Sequence, residues 1–108
     1  MSQKLLSLLG IARRAGKLSV GFDAAAESMK KGRSCLLLLA DDISERTSGS
    51  ITSKAEQSGT EILKINVSME QVGNALGKKM TGIISVNDSG FAEKLKTLIS
   101  EQQTGGIY

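Results

Sequence analysis

The chain has 108 residues, a formal net charge of +3, 40% apolar and 23% charged residues, and no proline. That composition fits one folded domain over residues 1–108 and favours a compact folded chain over disorder. One cysteine, no histidine and 3% aromatics exclude a disulfide framework and a zinc site, and leave Leu, Ile, Val and Ala to build the core.

From Ser2 to Ala15, the residues Leu5, Leu6, Leu8, Leu9 and Ala12 recur at helical spacing and predict an amphipathic helix. Arg13 and Arg14 in its last turn suit the negative end of the helix dipole. They suit RNA phosphate equally, and the sequence leaves both readings open. Gly16 and Lys17 lead into a short strand, Leu18 to Val20, and Gly21 lets the backbone turn. The alanine run at 24–26 then starts a helix at once, and Gly32 ends it. A helix that starts from a glycine turn leaves its first N–H groups unpaired and partly positive, which attracts phosphate. An ordinary strand-to-helix connection is the competing reading.

Ser34 to Ala40 is a continuous apolar run, expected as a strand buried on both faces, with Cys35 as a small buried hydrophobe. Asp42 with Glu45 three residues on resembles a helix cap, which is favoured over metal ligation for Asp41 and Asp42. Thr47 to Ser50 is expected to shorten or split that helix, which resumes through Ile51 and Ala55 until Gly59. Glu61 to Val67 reads as a strand, and Ser68-Met69-Glu70-Gln71 as a capping box opening a helix that Gly77 ends. A loop (Lys78 to Gly82), a strand (Ile83 to Val86), a turn (Asn87 to Gly90) and a last helix from Phe91 follow. Residues 103–108 read as a frayed tail. Strict alternation of helix and strand predicts an α/β fold, a three-layer α/β/α sandwich around a central four-stranded sheet.

Two segments approach a phosphate-binding loop and fail it. Gly10 and Gly16-Lys17 are separated by five residues, and Gly73 and Gly77-Lys78 by three, where four are required before Gly-Lys-Ser/Thr. No nucleophile–base pair, dinucleotide fingerprint or metal set is present, so a non-enzymatic protein without a cofactor is expected. No apolar run approaches the roughly 20 residues of a membrane span, and no secretory signal opens the chain. The expectation is a cytoplasmic protein with no membrane partner. Charge is segregated: residues 1–33 hold seven basic and two acidic groups, the remainder seven and nine. Such a basic third is the footprint of a nucleic-acid surface.

These segments resemble the kink-turn-binding ribosomal proteins of the archaeal L-seven-Ae and L-thirty-e type, and most nearly the small bacterial YlxQ-like branch. The resemblance runs through Leu9-Gly10-Ile11-Ala12-Arg13-Arg14-Ala15-Gly16-Lys17-Leu18, Gly21, Gly32 and Ala40-Asp41-Asp42. It continues through Val72-Gly73-Asn74-Ala75-Leu76-Gly77-Lys78 and Asp88-Ser89-Gly90-Phe91. It implies a mixed sheet and RNA held by two neighbouring loops at one end. The first loop would be Gly21-Phe22-Asp23-Ala24 with Glu27 one turn on. There Asp23, Ala24 and Glu27 stand where the family typically has Asn, Glu and Lys. The second would be Lys78-Lys79-Met80-Thr81, where the family places small aliphatics against a flipped-out base. Met80 is expected to pack on a base. Phe22 either stacks on one or fixes the start of its helix. Phosphate contacts are expected from Lys17, Lys30, Lys31, Lys78 and Lys79 and from backbone N–H groups at Gly21 to Asp23. The implied function is binding of structured RNA linked to the ribosome or translation, with ribosomal or translation proteins as possible partners. The alternative is a protein-interaction module on the same fold that has lost strong RNA binding.

Overall fold

Four leucines in succession lead to the centre of the sheet, because a strand sends alternate side chains to opposite faces. In the computed structural model, which describes residues 2–105, Leu36 to Leu39 form β2 and all four side chains are buried. Leu36 and Leu38 pack on one face with α1 (Ser2–Arg14), α4 (Met69–Leu76) and α5 (Ser89–Gly105). Leu37 and Leu39 pack on the other with α2 (Phe22–Lys30) and α3 (Glu45–Ser58). Each such burial contributes roughly 1.5–3 kcal/mol. The sandwich is therefore three-layered, as expected.

The sheet runs β1 (Leu18–Val20), β4 (Ile83–Val86), β2, β3 (Ile62–Lys64). β4 is antiparallel to both β1 and β2, while β3 is parallel to β2, so the sheet is mixed. The register Leu18↔Val86 and Leu36↔Val86 brings the starts of β1 and β2 to the end of the sheet where β4 finishes. The opposite end collects the exits of β1, β2 and β3 and the start of β4.

Several local expectations shift. The cap of α3 is Ser44, whose Oγ accepts the Thr47 N–H at 3.2 Å. Asp42 serves a different helix: its Oδ1 accepts the Met69 N–H at 2.8 Å, at the start of α4. The expected break at Thr47 to Ser50 is absent, and α3 runs unbroken from Glu45 to Ser58. Burying Ile51 and Ala55 against α2 and the sheet outweighs one mid-helix glycine, worth about 1 kcal/mol. Cys35 is exposed, not buried. It precedes β2 at the rim of the sheet and donates its N–H to the Val86 carbonyl at 2.7 Å. β3 is shorter than Glu61 to Val67, although the Asp41 N–H still reaches the Val67 carbonyl at 2.8 Å. α5 starts at Ser89 because Asp88 Oδ2 accepts the Phe91 N–H at 2.9 Å. It continues to Gly105, and residues 106–108 of the expected tail lie outside the described residues.

Candidate nucleic-acid interface

Gly21 creates the first loop. Its φ of 97° is open to glycine and costly for a side chain. The turn converts β1 into α2 with no side-chain cap. The first bond of α2 is Ala25 N–H to Gly21 carbonyl, 3.0 Å. The N–H groups of Phe22, Asp23 and Ala24 therefore have no carbonyl one turn back within the helix. Gly21 itself differs from expectation: its N–H is spent on the Ile83 carbonyl at 2.9 Å and does not face a ligand. That bond joins the first loop to the strand that leaves the second.

The second loop is fastened to α4 along its backbone. Lys78 N–H donates to the Gly73 carbonyl at 2.8 Å, and Thr81 N–H to the Met69 carbonyl at 3.0 Å. Gly77 turns the chain at φ 69°. Gly73 permits the return, since a Cβ there would stand 1.4 Å from the Lys79 carbonyl oxygen. Lys78, Lys79 and Met80 are exposed, Met80 to 60%, an unusual degree for a large apolar side chain. Thr81 is buried, so its side chain anchors the loop and does not face solvent.

Of the expected site residues, the structure brings Gly21, Phe22, Asp23, Lys78, Lys79 and Met80 to one end of the sheet. Phe22 is half-buried and packs on the α2–α3 core, consistent with fixing the helix start. Asp23, Ala24 and Glu27 are exposed, and Glu27 pairs with Lys31 at 3.2 Å. This end is electrostatically mixed. Asp23, Asp41, Asp42, Glu45 and Glu70 stand there with Arg46, Lys64, Lys78 and Lys79.

Lys17, Lys30 and Lys31 are not part of that constellation. Lys17 precedes β1, and its carbonyl accepts the Asn87 N–H at 2.8 Å, beyond the far end of β4. Lys30 and Lys31 close α2, which runs back from the loops to the same far end. Arg13 and Arg14 finish α1 there, with Gly16 N–H donating to the Arg13 carbonyl at 2.9 Å. An ideal Cβ on Gly10 would lie 3.6 Å from the Arg14 guanidinium, so that side chain lies back along its own helix. Two contributors were missed in the sequence. Gly73 gives no local signal, because its neighbour is the loop six residues on. Asp42 read as the nearest helix cap, while its partner is 27 residues away.

The model of the ribosomal protein L7Ae/L30e/S12e/Gadd45 family matches residues 3–96. RNA-binding protein YlxQ of Bacillus subtilis (strain 168) is 34% identical over 92 residues, covering 85% of this chain and 91% of that protein. RNA-binding protein YlxQ of Enterococcus faecium is 31% identical over 99 residues, covering 90% and 92%. A solved protein of unknown function from Bacillus halodurans C superposes with a TM-score of 0.83 at 32% identity, covering 91% of this chain and 98% of that one. With its sequence and its fold matched over most of the chain, it belongs to the ribosomal protein L7Ae/L30e/S12e/Gadd45 family.

Proposed function

We propose that this is a non-enzymatic, cytoplasmic RNA-binding protein that holds a structured, kink-turn-like RNA between the Gly21–Asp23 turn and the Lys78–Met80 loop, in ribosome- or translation-related RNA. The observation that carries it is the juncture of the two loops. Gly21 is bonded to Ile83, and an exposed methionine and two lysines are held on a backbone that cannot drift from α4. An unpaired base stacks or packs on an exposed apolar side chain, while lysines hold backbone phosphates. The relatives named for RNA binding support the same reading. Asp23, Ala24 and Glu27 stand where the resembled family places Asn, Glu and Lys, so binding rests more on shape and backbone than on side-chain base reading. We expect a standard kink-turn to be held more weakly than by family members with that motif.

The test is a titration of this chain and the Asp23→Asn, Ala24→Glu, Glu27→Lys variant against a kink-turn hairpin. The variant should gain about 1–3 kcal/mol, the worth of charge-assisted hydrogen bonds. With three to five phosphates contacted, log K should fall against log salt with a slope of about −2 to −4. Wild type binding as tightly as the variant would show that these positions do not set recognition. No binding of any structured RNA at about 50 mM salt would sink the proposal and leave a protein-interaction module.

A further inference from the structure

The far end of the sheet carries a basic corner that the loops do not use. Arg13 closes α1, Lys17 precedes β1, Lys30 and Lys31 end α2, and Arg33 stands just before β2. Lys17, Lys30, Lys31 and Arg33 are exposed and Arg13 is partly so. Among the described residues, only Lys31 of this group is drawn into an ion pair, with Glu27. Acids at this end have other partners. Asp88 caps α5 through the Phe91 N–H. Glu61 beside β3 and Glu93 on α5 both face Lys96, at 3.1 and 4.0 Å. Lys96 has its pKa raised, chiefly by the hydrogen bond to Glu61. Cations thus outnumber acids on the β1 side, where Glu27 and Asp88 stand, while Glu61 and Glu93 gather around Lys96.

The corner is also held in place. Ser85 Oγ, fully buried, lies 2.6 Å from Asn87 Oδ1 and 2.7 Å from Ser34 Oγ. An amide oxygen only accepts, so the Ser85 hydroxyl donates to Asn87 and its oxygen accepts a hydrogen bond from the Ser34 hydroxyl. Asn87 Nδ2 donates to Ser19 Oγ at 2.8 Å, and Ser19 meets Ser28 Oγ at 2.6 Å. One polar chain therefore ties the ends of β1, β4, α2 and the approach to β2 beneath the cations. Arg13 and Lys31 end helices on opposite faces of the sheet, with Lys17 and Arg33 before the strands between them, so the cations spread over the sheet end and do not converge on one point. A nucleic-acid strand presents a charge about every 3.4 Å of helix axis, so the corner matches a run of phosphates better than a single anion.

We propose that this corner is a second, sequence-independent phosphate surface that grips a duplex arm of RNA, at the opposite end of the sheet from the two loops. The proposal rests on the RNA reading above but not on which motif the loops read. It separates two tasks: the loops recognise a shape, and the corner adds affinity that any duplex can supply.

The probe is a plain RNA duplex of about 16 base pairs, the span of a double-strand-binding domain, alongside the same duplex carrying a kink-turn. The variant is Lys17→Gln, Lys30→Gln, Arg33→Gln; its side chains are exposed and unpaired, and its melting temperature should match wild type. At about 50 mM salt it should bind both RNAs at least 10-fold more weakly. Its salt slope should be roughly halved, and its preference for the kinked RNA unchanged. The charge-matched variant Lys4→Gln, Lys94→Gln, Lys96→Gln should hold the plain duplex within about twofold of wild type, as expected when lost phosphate contacts and not net charge set affinity. A corner variant that binds the plain duplex like wild type, or equal loss in the two variants, overturns the proposal. So does a wild type that ignores plain duplex, or one that binds only anionic phosphatidylglycerol vesicles. A wild type that binds plain duplex through the corner but shows no preference for the kinked RNA instead sinks the loop reading alone.

Discussion

The two ends of the sheet are built on different principles. The loop end is defined by backbone: a positive-φ glycine, a helix start without a side-chain cap, and a loop laid against Gly73 so closely that a methyl group has no room. Its charges are mixed. The basic corner is defined by charge: its chain also turns at positive-φ glycines, Gly16 at 73° and Gly32 at 71°, but what sets it apart is its cations and the serine–asparagine side chains linked beneath them. A surface that depends on geometry is sensitive to single atoms in its support. One that depends on charge is sensitive to the number of cations and to salt.

Gly73→Ala should break the loop end most severely. Its Cβ would meet the Lys79 carbonyl, so the loop or α4 must move, at a cost of about 3 kcal/mol, the upper part of the range for overpacking. Urea unfolding should show that loss, and hydrogen exchange should show faster exchange at the Lys78 and Thr81 amides. Gly49→Ala in α3, with open space around it, should instead stabilise by about 0.5–1 kcal/mol. Equal behaviour at the two glycines would remove the geometric account of the loop.

Ser85→Ala strikes the support of the corner. Asn87 Oδ1 and the Ser34 hydroxyl lose a partner inside the fold, which should cost about 2 kcal/mol in thermal or urea unfolding. The loop end should keep its amide protection. Asp42→Ala is milder: it removes the acceptor of the Met69 N–H, and losing a helix-start acceptor costs about 1 kcal/mol. That loss should appear as faster exchange at the first amides of α4. Smallest in stability is Lys78→Ala with Lys79→Ala, within about 0.5 kcal/mol as at other exposed sites, yet RNA affinity should fall. Parallel loss of melting temperature and affinity would mean that those lysines support the loop and do not contact ligand.

Much of this was legible in the chain itself, for identifiable reasons. Signals confined to a few neighbouring residues carried through. The Ser68–Gln71 capping box forms with both of its bonds, Gly59 and Gly77 end their helices in left-handed conformation, and the leucine run is buried on both faces. Where propensity met packing, packing prevailed, as in the unbroken α3. Cys35 shows the limit of composition. An apolar run does not say where the covering helices stop, and Cys35 lies one residue before β2.

The sequence by itself determined the alternation of helices and strands, the three layers and the presence of a basic N-terminal third. Each of these follows from periodicity, caps and composition, which act over one or two turns of chain. Only the tertiary structure decided which cations share a surface. β1 is three residues long and α2 returns along the same path. Residues close in sequence, Lys17 and Gly21, are therefore sent to opposite ends of the sheet, while Lys17 and Asn87 meet through a backbone hydrogen bond. Strand order and direction are set by non-local pairing, and no local pattern encodes them.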